Sequence, residues 1–146
     1  MRNTILFSIF LFAILSGCSK KKYGSTPTLK FKSVNTKNLA TGQLLQFTLS
    51  FTDAEGDLTD SIYVQEIAPA CANSSFATQY SLPSFPASKN QAGDILVTFG
   101  YNAGSGYTNI APQCQKNDTA VFRFALKDKA KQVSDTVSSP KIILYY

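Results

Sequence analysis

The sequence predicts an all-β fold, a single antiparallel β-sandwich of about seven strands. Three observations carry this. Several runs alternate apolar and polar residues with period two. Beyond residue 15, no stretch sustains an i, i+3, i+4, i+7 apolar pattern past two turns. Turn-forming Gly, Pro, Asn, Asp and Ser separate the runs. The 146 residues carry 14 Lys and Arg against 9 Asp and Glu, with no His, no Trp and 3 Cys. Without His there is no Ser-His-Asp or Cys-His catalysis and no His-ligated zinc.

The strands are expected as follows. Leu29 and Phe31 alternate with Lys30 and Lys32, so strand A (29–35) is a charge-protected edge. Leu45, Phe47, Leu49 and Phe51 form the buried face of strand B (43–52). Strand C (60–68) carries apolar groups on both faces, which leaves its inward face undecided. Ile95, Val97 and Phe99 line one side of strand E (94–100). Ala120, Phe122, Phe124 and Leu126 line strand F (119–128). Strand G (132–146) is interrupted near Ser138–Pro140 and ends in KIILYY. Segment 69–93 is left as a variable region. No internal repeat and no second domain is evident.

This order of strands is similar to an immunoglobulin-like sandwich, although the Trp and the inter-sheet cysteines of antibody domains are absent. In that architecture Cys71 follows the end of C and Cys114 precedes the start of F, so both lie at the same end. A Cys71–Cys114 disulfide would close a loop of about 40 residues and stabilise by about 3–4 kcal/mol. Two buried free thiols are the alternative.

The first residues read as an address. Arg2 precedes the apolar run ILFSIFLFAIL (5–15), which is too short to span a bilayer core of about 30 Å. Leu15-Ser16-Gly17-Cys18 then resembles the bacterial lipobox. That resemblance implies a signal peptide over 1–17 and lipidation, with palmitate among the acyl chains, at Cys18. Residues 18–28 become a flexible tether, and 29–146 the domain. Acyl chains add about 0.8 kcal/mol per buried CH₂, enough in combination to hold a protein at a membrane without a spanning helix. Lys20, Lys21 and Lys22 fall beside the headgroups. By the same resemblance, Ser19 in place of Asp favours the outer membrane, and the lysine run favours a periplasm-facing position over surface export. Arg2 and Lys20–Lys22 hold four of the basic residues. Residues 29–146 keep ten Lys and Arg against nine Asp and Glu, so no basic excess argues for nucleic acid.

Residues 51–60 (FTDAEGDLTD) join B to C, and 126–135 (LKDKAKQVSD) form the F–G turn at the same end. These segments resemble the F-x-D-x-x-G-D-[LI] and D-x-x-x-x-x-S-D turns of Ig-like or cadherin-like lipoprotein domains of the Bacteroidetes, largely of unassigned function. Asp53, Glu55, Asp57 and Asp60 place four carboxylates in eight residues, Gly56 permits φ > 0, and Asp128 approaches from the neighbouring turn. Calcium takes six to eight such oxygens. A plain acidic turn neutralised by Lys127, Lys129 and Lys131 is the competing reading, and the sequence favours it because those lysines oppose a cation.

Other signals are weaker. Residues 100–107 (GYNAGSGY) are Gly-rich but lack the Lys-Ser/Thr of a phosphate loop. Tyr80, Tyr101 and Tyr107, with Phe76 and Phe85, suggest a protein-partner or glycan surface at the Cys71–Cys114 end. A satellite cluster under a long loop is the preferred reading. Asp60-Ser61-Ile62, Asp118-Thr119-Ala120 and Asp135-Thr136-Val137 resemble the D-[ST]-apolar O-glycosylation sequence of the Bacteroidetes, which is also how a strand begins after a turn. Glu55 and Glu66 offer carboxylates for acid–base work, but no nucleophile sits with a base. The expected function is a membrane-anchored envelope lipoprotein with a non-enzymatic binding or structural role. A glycan-binding accessory module using the tyrosines is the alternative, and an enzyme with a carboxylate site comes third.

Overall fold

A computed structural model describes residues 24–146, apart from Thr59 and Phe85. Cys18 and most of the tether lie outside the described residues. Among the described residues nine strands form two sheets: β1 (Thr28–Val34), β2 (Asn38–Leu39), β3 (Leu44–Asp53), β4 (Ser61–Ile67), β5 (Phe76–Ser81), β6 (Gln91–Gly100), β7 (Asp118–Lys127), β8 (Val137–Ser138) and β9 (Ile142–Leu144). One sheet has the order β1-β3-β6. The other runs β2-β9-β7-β4-β5, with β8 also paired to β7. In Ig terms these are A-B-E against A′-G-F-C-C′. The protein is an Ig-like sandwich.

Alternation fixes the packing. Leu45, Phe47, Leu49 and Phe51 of β3 meet Phe122, Phe124 and Leu126 of β7 across the interior. Phe47 is the hub, with ring centroids 5.0 Å from Phe122 and 5.2 Å from Phe124. Phe99 stacks on Phe122 at 5.3 Å. The undecided face of β4 is resolved: Ile62, Val64, Glu66 and Ala68 point inward. At the edge, a bulge between Phe31 and Ser33 interrupts β1, and Lys32 reaches Asp94 at 2.6 Å. Both features discourage pairing with another chain.

Three boundaries differ from expectation. The variable region contains a true strand, β5, paired along β4 from Ser61↔Ser81 to Glu66↔Phe76. β6 starts at Gln91 and pairs with β3 out to Asp53. The last strand is two short pieces, β8 and β9, and two serines bridge the interruption. Ser134 N–H donates to the Leu126 carbonyl, while its Oγ accepts from Leu126 N–H at 2.9 Å. Ser139 treats Phe122 the same way, its Oγ accepting at 3.0 Å. β7 therefore keeps its hydrogen bonds where no regular strand faces it.

Cys71 and Cys114 form a disulfide, with Cα atoms 5.4 Å apart and a sequence separation of 43. This bears out the expected pair, and the separation is ordinary for a disulfide. Asp118 braces the same end. Its carboxylate accepts from the N–H groups of Ala70 (3.1 Å), Cys71 (2.8 Å) and Thr119 (2.6 Å). Among the described residues, no helix is long and apolar enough to cross a membrane.

Candidate functional site: the acidic end and the tyrosine groove

The inner-face alternation does not stop at the apolar residues. On β3 it continues from Phe51 to Asp53, and past the end of β7 it continues from Leu126 to Asp128. Both aspartates are therefore driven inward at the same end of the sandwich, and both are 0 % exposed. The loop after β3 turns back through Gly56 at φ +72°. A Cβ there would lie 2.0 Å from the Ser88 carbonyl oxygen, so only glycine fits beneath that segment. The turn brings Asp57 onto the other two, and Lys129 N–H donates to the Asp57 carbonyl at 3.2 Å. One carboxylate oxygen from each of Asp53, Asp57 and Asp128 lies within 4.8 Å of the other two.

Backbone amides hold two of the carboxylates in place. Asp53 Oδ2 accepts from Gly56 N–H at 2.8 Å and from Asp57 N–H at 3.1 Å. Asp128 Oδ1 accepts from Gln132 N–H at 2.8 Å. In contrast, Asp53 Oδ1, Asp57 Oδ1 and Asp128 Oδ2 are buried without a hydrogen-bond partner, as is Gln91 Oε1. Gln91 is the direct cross-strand partner of Asp53, and such partners share a face. Burial first, and then the charges of Asp57 and Asp53, push the Asp128 carboxyl above the usual range, against the lowering effect of backbone N–H donors from Gln132 and Ala130.

Two of the five residues expected here stand apart. Glu55 is exposed. Asp60 pairs with Lys131 at 3.2 Å. The alternation that buries Asp128 turns Lys127 and Lys129 the other way, and among the described residues neither makes an ion pair. Neutralisation by lysine thus reaches Asp60 and not the buried trio. The sequence could not decide between turn and site because it does not show which carboxylates the loop turns inward. It also gave no reason to single out Gln91, whose only signal is its register with Asp53.

The expected tyrosine surface is rearranged. Tyr101 is 2 % exposed, and its hydroxyl donates to the Tyr145 carbonyl at 2.6 Å. It is a core residue tying down the C-terminal segment, so its place in an exposed surface is corrected. Tyr80 lies on β5, not in a loop. With Tyr107 it lines a groove of about 430 Å³ along the open side between β5 and β6, shared with Leu82, Leu96, Thr98 and Thr108. The two hydroxyls of Tyr80 and Thr108 are 2.8 Å apart. Phe76 and Tyr80 also pack on the core, in keeping with a satellite cluster. Phe85 is outside the described residues.

Glu66 is a further buried carboxylate, 1 % exposed, with neither oxygen hydrogen-bonded. Burial, and next the Asp118 charge, raise its pKa from 4.5 to about 8. Neither Glu55 nor Glu66 lines the groove.

No protein-family model and no curated protein sequence matches the chain. Several solved structures are similar in shape. The sporulation control protein Spo0M of Bacillus subtilis is 9 % identical, with TM-score 0.46 over 83 % of this chain and 50 % of its own. A β-glucosidase of Listeria innocua bound to gluconolactone is 15 % identical, with TM-score 0.43 over 91 % of this chain and 19 % of its own. The CARDB domain of the PF1109 protein of Pyrococcus furiosus, in complex with di-metal ions, is 10 % identical, with TM-score 0.35 over 90 % of this chain and 96 % of its own. The chain thus spans half of Spo0M and about a fifth of the glucosidase. These likenesses are too distant to carry function, and the fold rests on the sheet order itself.

Proposed function

We propose that the chain is a lipid-anchored module of a bacterial cell envelope, of the Bacteroidetes lipoprotein type, with a non-enzymatic binding or structural role. The observation that carries this reading is the Cys71–Cys114 disulfide in a domain that follows a lipobox by a short tether. Disulfides persist in oxidising compartments, which an exported, anchored domain reaches. Net charge near zero over residues 29–146 suits a partner other than nucleic acid.

An anchored module of this kind would have a defined orientation. Thr26, where the tether joins the domain, donates its hydroxyl to Gln132 Oε1 at 2.8 Å, and Thr28 pairs with Thr52. Residues 26–28 therefore join the domain at the acidic end, the end that would face the membrane on this reading. The disulfide and loop 101–117 project away from it. In cell fractionation, the wild-type protein is expected in the membrane fraction and Cys18→Ala in the soluble fraction. Equal membrane retention of both would overturn the anchor.

The groove favours a second reading, a glycan-binding accessory module, because Tyr107 is 44 % exposed beside Tyr80. Glycan binding lost in Tyr107→Ala supports it, and absence of binding in the wild type removes it. Tyr101→Ala is not a useful probe, because that ring belongs to the core.

A further inference from the structure

We propose that Asp53, Asp57 and Asp128, joined by Gln91, bind one divalent cation, calcium in preference to magnesium. Three carboxylates held within 4.8 Å of one another cannot all stay ionised without a counter-charge. Among the described residues lysine does not supply it: the ion pairs are Lys32–Asp94 and Lys131–Asp60.

Hydrogen bonding gives the independent indication. Asp53 and Asp128 are 0 % exposed, yet each keeps one oxygen without a partner. Their other oxygens are turned to the amides of their own loops. This division fixes the orientation of each carboxylate and leaves its other oxygen free to take a ligand. Asp57 Oδ1 and the neutral Gln91 Oε1 are also buried and unpartnered. A purely structural turn would use these atoms for hydrogen bonds, because a buried unsatisfied oxygen costs about 1–3 kcal/mol.

The donor set selects the ion. Every donor is oxygen, as hard cations require, with neither the nitrogen nor the sulfur favoured by zinc and copper. Calcium–oxygen distances of about 2.3–2.6 Å let two ligands of one ion stand about 5 Å apart. The ligands come from two loops and a strand edge, an irregular arrangement that calcium tolerates better than magnesium, which demands a near-ideal octahedron. Carbonyls and water complete the shell. The ion would pin the β3–β4 loop to the β7–β8 turn, and Gln132 links that turn to Thr26 of the tether.

The test is thermal melting of the full chain in EDTA, in calcium and in magnesium, with calorimetric titration of each metal. One calcium per chain is expected, with a midpoint rise of about 10 °C at a hundredfold excess over Kd. Asp57→Asn is expected to abolish the shift while raising the midpoint in EDTA, because it removes one of three crowded charges. Asp128→Asn should do the same, and Asp57, on the loop and half-buried, serves if that core variant fails to fold. Glu55→Gln and Asp60→Asn keep the full shift. Identical melts in calcium and EDTA, or a shift that survives Asp57→Asn, overturn the site. A magnesium shift as large as that of calcium overturns the preference.

Discussion

Glu66 occupies an inward position on β4 between Val64 and Ala68, where an apolar side chain would suit the core better. Its pKa, raised to about 8, makes it a source of pH dependence. The folded state holds its proton up to about pH 8, whereas the unfolded chain releases it near 4.5. Between those values the native state binds more protons, so stability falls as pH rises and the loss is complete above the folded pKa. Each pKa unit corresponds to about 1.4 kcal/mol, so a loss on the order of 3 kcal/mol is expected between pH 5 and pH 8. Glu66→Gln should flatten that slope and raise stability most at pH 8, as read by urea denaturation. An unchanged slope in the variant would assign the pH dependence elsewhere. At this scale the sequence was partly legible. The turning role of Gly56 and the alternation leading to Asp53 and Asp128 were readable. The divergence of Glu55 and Asp60 was not, because it depends on how the loop folds back and not on any period.

Among the elements, β7 bears the heaviest demand, since β4 flanks one side and only fragments flank the other. Ser134 and Ser139 supply what a continuous last strand would have supplied. Replacing either with Ala leaves a buried N–H of Leu126 or Phe122 without its acceptor. Ser134→Ala and Ser139→Ala are each expected to cost about 1–3 kcal/mol in chemical denaturation. A cost near zero would mean that water or a backbone shift replaces the hydroxyl. The sequence revealed the long strands β3 and β7 because their apolar alternation is uninterrupted. β5 carries the same period in Phe76, Thr78 and Tyr80, but a polar middle member and the Asn-Ser-Ser and Pro-rich flanks hid it. The two-residue strands β2 and β8 hold no period to read; their place is set by β9 and β7.

Across the whole molecule, the two ends of the sandwich are chemically distinct. One is closed by the disulfide and by Asp118, which accepts three backbone N–H bonds. The other gathers three inward carboxylates where the tether enters. That polarity was legible in outline, because the sandwich topology places the B–C loop with the F–G turn and the two cysteines at the far end. The side groove was not, since it needs β5 in place against β6. The account rests on this domain being exported, anchored at Cys18 and oxidised. Intact-mass analysis of the protein purified from its native cells, with thiol alkylation before and after reduction, reads all three together. The account predicts a chain beginning at Cys18 that carries acyl mass, with no thiol alkylated before reduction and two after. An unacylated chain, or two thiols alkylated without reduction, would contradict it.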